Sequence, residues 1–164
     1  TLIVYRELYE KGLTGETLAQ RIHDMEMPEL ITPRGVLDGA SWNNTGAHGP
    51  TVGESLVNAG HKLRRADKNR ISGKIQVHER LKINEKTGRP KTQIFNGCVN
   101  LIRELSSIPV DPNNREDVDT KAEDHAYDAF RYGVMSRPRM EDPFMRMQKF
   151  KAQRYVPLDS AFGY

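Results

Sequence analysis

The sequence predicts an α/β layered fold, a mixed sheet flanked by helices. Three observations predict it. Runs rich in β-branched and aromatic residues alternate with stretches of helical spacing, no internal repeat is visible, and 164 residues suit one domain able to bury a core.

The opening run "TLIVYRELYE" predicts a strand. "KGLTGETLAQRIHDM" then carries a turn glycine, a cap at Thr14 and helical spacing, so strand and helix form a first unit. "TPRGVLDGASW" predicts a short strand ending at Asp38, followed by the Gly/Asn-rich loop "GASWNNTGAHGP" and a helix from about Thr51 to Ala59, with Pro50 placed for its first turn. "HKLRRAD" is a candidate third strand. "NRISGKIQVHERLKI" spaces Ile71, Ile75, Val77 and Leu81 among charges and predicts an amphipathic helix despite Gly73. "GRPKTQIFNG" predicts a turn and strand, "CVNLIRELSSI" a helix, and "VDTKAEDHAYDAFRYGVMSRP" the last long helix, with Asp119 or Thr120 as candidate caps. From Ser136 onward three prolines, scattered basic residues and exposed-looking Met and aromatic side chains lack core-helix spacing. The expected division is therefore a domain over 1–136 and a tail over 137–164. Two readings of the tail stand side by side: an arm, ordered by itself or on a partner, and a loosely packed terminal extension.

Composition narrows the class. With 37% hydrophobic residues and no apolar run long enough to span a bilayer, a soluble domain without a membrane partner is expected. The one cysteine, Cys98, leaves no internal disulfide, fits a reducing cytoplasm and reads as a buried structural thiol. A net charge of +3 permits a polyanionic partner without demanding one. The chain opens at Thr1, without an initiating Met, inside what reads as a strand, so a fragment or processed product is expected.

Acids crowd the start of the last helix. Glu123 is unremarkable there, because carboxylates are favoured at helix N-termini by about 0.3–1 kcal/mol. Asp124 and Asp128 stand four residues apart, on one helix face. Asp128 falls where Ala126, Tyr127, Ala129, Phe130, Tyr132 and Val134 become dense, and a carboxylate at a packed face needs a cation or donor. A structural pair and a metal or catalytic role are both open for it. Asp38 ends a strand, where α/β folds place ligand-binding side chains, yet Asp-Gly is also among the commonest turn dipeptides. Paired acids of this kind suit a divalent metal such as Mg²⁺, a hard cation that takes oxygen ligands and keeps several waters.

"HKLRRADKNRISGK" contributes Lys62, Arg64, Arg65, Lys68, Arg70 and Lys74. A charge run is ordinarily a solvated face, but Lys and Arg contacts to phosphates are also sequence-independent, as general DNA binding requires. Trp42 and His48 are candidates for lining a DNA path, with loop packing the commoner role for Trp42. His125 is a candidate for orienting a ligand or water. His23, His61 and His78 lack metal-ligand spacing with one another. Glu7 reads as a solvated or edge-strand acid.

Taken in order, "VYRELYEKGLTGETLAQRI", "GVLDGASW", "GPTVGESLVNAGHKLRRADKNRISGKIQVHERLKI", "RPKTQIFNGCVNLIRELSSIPVD" and "EDHAYDAFRYGVMSRP" resemble the C-terminal nuclease half of the large terminase subunit of tailed bacteriophages. The likeness covers nearly the whole chain. It implies a ribonuclease H-like fold that cuts double-stranded DNA with Mg²⁺ or Mn²⁺ during genome packaging in the host cytoplasm. The implied partners are DNA, a terminase ATPase domain or chain, the small terminase subunit and the portal protein. Carried over residue by residue, the catalytic and metal-binding acids are Asp38 and Asp124, with Asp128 a second candidate in the same motif. The family's first catalytic aspartate sits on a strand that this chain lacks before Thr1, so weak or absent cleavage is expected until such a strand is supplied. No G-x-x-x-x-G-K-[ST] loop occurs, and ATP hydrolysis is not expected of this chain. The alternatives are a non-catalytic DNA- or portal-docking module and another ribonuclease H-like enzyme such as a resolvase.

Overall fold

The computed structural model describes residues 1–26, 34–44, 49–112, 114, 116–119 and 122–137. His48, Thr120 and the tail from 138 onward lie outside them. The fold is mixed α/β. In chain order the elements are β1 (Leu2–Val4), α1 (Gly15–Glu26), β2 (Arg34–Leu37), a 3₁₀ turn (Gly39–Trp42), α2 (Val52–Asn58), β3 (Lys62–Arg65), α3 (Arg70–Leu81), β4 (Ile83–Asn84), β5 (Arg89–Pro90), β6 (Thr92–Ile94), α4 (Val99–Ser107) and α5 (His125–Ser136).

Among the described residues the strands form three two-stranded ladders rather than one continuous sheet. β1 pairs with β6 and β2 with β3, both parallel, while β4 and β5 make a small antiparallel ribbon. α5 packs beneath both parallel ladders. Its Tyr127, Phe130 and Val134 join Val77, Cys98, Leu101 and Val118 in the main core, and Leu2, Val4 and Ile94 close over them. A groove of about 610 Å³ runs between β1 and β2, lined by Leu2 and Val4 on one side, Gly35 and Val36 on the other, and by Phe130 and Gly133 of α5.

Local chemistry explains most helix starts. Thr14 accepts from the Thr17 amide at 3.2 Å. Thr51 makes a reciprocal capping box with Glu54 at 3.2 and 2.7 Å, which makes Thr51 the cap and leaves Pro50 ahead of the helix rather than in its first turn. Asn69 caps α3 through the Ser72 amide at 3.0 Å.

The last two helices are capped from a distance. Cys98 stands at the cap position of α4 with no side-chain capping bond, its thiol donating instead to the Val4 carbonyl at 3.8 Å, and the Glu7 carboxylate supplies the acceptor, 3.0 Å from the Asn100 amide and 3.4 Å from that of Leu101. This shortens β1 to three residues, because the chain turns away after Val4 to deliver Glu7. Glu7 is thus neither a strand acid nor a solvated one. The buried Glu104 of α4 in turn accepts from the Tyr127 amide of α5 at 2.8 Å. Each such bond to a charged acceptor contributes about 1.5–3 kcal/mol.

Gly73, anomalous inside α3, is explained by α5. A Cβ there would lie 2.6 Å from Arg131 Cγ and 2.7 Å from Cδ, so α3 and α5 approach only because the position is bare. Gly73→Ala is expected to lower stability, since overpacking costs about 1–3 kcal/mol while the gain in helix propensity is about 1. Urea unfolding checks it, and a stabilised variant would mean that Arg131 moves aside freely.

Candidate functional site

The N-terminal ends of α3 and α5 and the loop at Asp117 bring five charged side chains together. Arg70, first residue of α3, donates from Nε to both Asp117 oxygens at 3.1 and 2.8 Å. Its Nη2 lies 3.8 Å from Asp124 and its Nη1 3.8 Å from Asp128. Asp128 is held more tightly by Arg131, whose Nε and Nη2 both stand 3.0 Å from Oδ1 and whose side chain is only 2% exposed. Tyr132 donates to the other Asp128 oxygen at 3.3 Å.

Asp124 differs from Asp128. It occupies the cap position of α5 yet makes no side-chain capping bond, because Glu104 already serves the first turn. What holds it is at ion-pair distance, Arg70 at 3.8 Å and His125 Nδ1 at 3.9 Å. Burial, and then the neighbouring charge of Asp128, push its carboxyl above the usual range despite the opposing pull of Arg70 and His125. Side-chain capping is thereby excluded as the role of Asp124, while Asp128 has a structural partner in Arg131.

Glu123 belongs elsewhere. It accepts from Tyr9 at 2.6 Å and pairs with Arg103 at 3.2 Å.

Asp38 combines both of its sequence readings. Oδ1 accepts from the Ala40 amide at 3.3 Å, capping the 3₁₀ turn, and lies 2.8 Å from Lys68 Nζ. The Lys68 hydrogen bond is the main reason its carboxyl is held below the usual range. Gly39 makes room for that approach, since a Cβ there would lie 3.1 Å from Lys68 Cε. Tyr132 has its hydroxyl raised by burial first and then by the charge of Asp128, with a smaller push from Asp38.

The six basic candidates divide. Arg70 and Lys74 turn inward, Lys74 donating to the Asp117 carbonyl at 3.1 Å. Lys68 is committed to Asp38, and Arg64 donates to the Ser136 carbonyl at 2.9 Å. Lys62 and Arg65 are exposed on β3. Arg65 lies over the Trp42 ring at 5.8 Å, and Trp42 fills the space a Cβ at Gly53 would take. Trp42 therefore packs the 3₁₀ turn on α2.

Asp117, Arg131 and Tyr132 were not singled out from the sequence. The spacings Asp128–Arg131 and Asp128–Tyr132 are ordinary helical pair spacings and carried a signal. Asp117 carried none, being brought in by a loop.

Among the described residues no group of three or more His, Cys, Asp or Glu is close enough to hold a metal ion by itself. The carboxylates of this cluster are instead engaged by Arg70, Arg131 and Tyr132. No described helix is long and apolar enough to cross a membrane. Compared with family models, curated proteins and solved structures, the chain matches none.

Proposed function

We propose that this chain is a divalent-metal-dependent nuclease module of the phage-terminase kind, acting on double-stranded DNA in the host cytoplasm. The observation that carries the reading is Asp124: a carboxylate that makes no side-chain cap, is partly desolvated beside Asp128 and is held only at ion-pair distance by Arg70 and His125 has a perturbed proton affinity, a common mark of a functional acid. Asp124 and Asp128 would hold Mg²⁺ or Mn²⁺. Such an ion, when bound, activates water and stabilises the leaving oxygen of a phosphodiester. Tyr132 keeps its proton and orients Asp128 by donating to it. Asp38, the residue that follows β2, is the further metal ligand proposed. Lys62 and Arg65 offer exposed charge to backbone phosphates.

A ribonuclease H-like sheet is the finer fold proposed. The groove between β1 and β2 supports it, because two parallel ladders on one helix leave a slot that a further strand would fill. The ATPase, small terminase subunit and portal protein are the proposed assembly partners. One observation favours the non-catalytic docking alternative: Lys68 and Arg70, the chain's own cations, already neutralise the acids.

Plasmid nicking in Mn²⁺ and Mg²⁺, by this chain and by a version with an aspartate-bearing strand fused ahead of Thr1, tests the reading. Cleavage in the fused version that needs the metal supports it; none in either, with DNA still bound, favours the docking module. For binding, Lys62→Ala with Arg65→Ala is expected to weaken all duplex sequences about equally and lower the salt slope by about one per lost phosphate contact. An unchanged slope would return these residues to plain solvated surface.

A further inference from the structure

We propose that the slot between β1 and β2 receives an extended, acid-flanked segment of another polypeptide, which adds to both strands by main-chain hydrogen bonding. The inference deepens the sheet proposed above and rests on its slot, but makes no use of the acids at the candidate site.

The backbone supplies the first argument. Leu2 donates to the Lys91 carbonyl at 2.8 Å and the Val4 carbonyl accepts from Phe95 at 2.9 Å, so these two residues serve the edge of β1 that faces β6. Alternation along a strand then turns the N–H and C=O of Ile3 to the opposite edge. On β2 the Leu37 carbonyl accepts from Ala66 at 2.9 Å, which assigns Leu37 to β3 and turns Val36 outward in the same way. Among the described residues neither outer edge pairs with another strand. A single inserted strand satisfies both edges at once, the mode by which sheet edges commonly capture peptides.

The floor of the slot leaves room for its side chains. Helix α5 passes beneath, and Ala129 is exposed there while Ala126 and Phe130 beside it on the helix are buried. A Cβ at Gly133 would meet nothing within 4 Å. With Leu2, Val4 and Val36 on the walls, the space is apolar and suits a strand better than a phosphate backbone.

Charge selects the occupant. Where β2 begins, the slot adjoins a second cavity of about 450 Å³ that shares Arg34, Val36 and Arg137 with it. Arg34, Lys62, Arg64 and Arg137 gather around this cavity from β2, β3 and the end of α5, and no acid lines it. Arg64 donates to the uncharged Ser136 carbonyl, and among the described residues none of the four meets a carboxylate. Acids flanking the inserted strand would pair with them. Residues 138–164 of this chain carry five Lys or Arg against three Asp or Glu, so its own tail is poorly matched to the cavity.

Fluorescence anisotropy with the full chain tests this. The probe is a labelled synthetic peptide of alternating Thr and Val with two Asp at one end, made in both orientations. One orientation is expected to saturate, and Pro in place of every Thr, which removes main-chain donors, to abolish binding. Gly133→Leu, which fills the floor, is expected to weaken binding about tenfold, with Ala129→Leu as the second variant should the first not fold. Arg34→Glu with Arg137→Glu is expected to weaken the Asp peptide about tenfold and to tighten one ending in Lys. Thermal melts confirm that each variant is folded. No saturation by either orientation, or affinity indifferent to both floor variants, overturns the proposal. So does charge reversal that weakens duplex DNA but not the peptide, a synthetic peptide of residues 138–164 that binds more tightly than the probe, or a dimer that the probe dissociates. Peptide capture without DNA cleavage sustains the inference and counts against the nuclease reading, whereas metal-dependent cleavage by a protein that captures no peptide does the reverse.

Discussion

Asp128→Ala is expected to destabilise the protein by about 3–5 kcal/mol, the cost of leaving a buried charge unpaired. The charge in question is Arg131, 2% exposed and bound to Asp128 through two contacts of 3.0 Å. Its remaining partners, the Asn69 carbonyl at 3.5 Å from Nη1 and the Tyr132 ring at 4.5 Å, are too weak to compensate. Asp124→Asn should do the opposite. In the folded protein the Asp124 carboxyl is raised above its ordinary value, so the folded state binds this proton more tightly than the unfolded chain does. Stability from this group is then lost as pH rises from the ordinary carboxylate range through the raised value. Asparagine has no proton to lose. The variant is expected to match the wild type in acid and exceed it by a few °C in melting temperature at neutral pH, the size that relief of a charge commonly gives in a chain this long. Urea and thermal unfolding across pH check both variants. Equal destabilisation by the two would mean that Asp124 is a structural acid after all.

The second large effect concerns chemistry. In a form of the protein that cleaves DNA, Asp124→Asn is expected to lower the nicking rate by about 10²–10³, the loss typical of removing one preorganised electrostatic group. The substitution is nearly isosteric and should not lower stability, so lost activity is separable from lost fold. Asp128→Ala cannot offer that separation, because its rate would fall with the α3–α5 packing. Full activity in Asp124→Asn would defeat the site assignment outright.

How far the sequence reached differs between fold and site. The first three helices were anticipated near their observed positions, because their determinants are local: hydrophobic spacing for α3, Thr14 and Thr51 near the starts of α1 and α2. α4 and α5 were legible as helices, but α5 begins at His125 with Asp124 at the cap, not at Asp119 or Thr120. The short strands ahead of Asp38 and at "HKLRRAD" were also legible, as was the burial of Cys98. The length of β1 was not. "TLIVYRELYE" has strand composition throughout, and what stops the strand at Val4 is the demand of α4, almost a hundred residues later, for an acceptor that Cys98 does not provide.

The site divides along the same line. Sequence by itself determined that Asp124 and Asp128 share a helix face and that basic residues follow Asp38, since both depend on spacing along the chain. Only the tertiary structure decided which acid has a structural duty. Glu104 reaches from α4 to cap α5 and relieves Asp124, Arg131 slides past the bare Gly73 to engage Asp128, and Asp117 arrives on a loop to anchor Arg70. The proton affinity of a carboxylate depends on every charge and dipole within a few ångströms, and those around Asp124 come from segments that adjoin only after folding. The same reason turned Arg70 and Lys74 inward from a run that reads as uniformly basic: in the fold Arg70 meets the Asp117 carboxylate and Lys74 the Asp117 main-chain carbonyl.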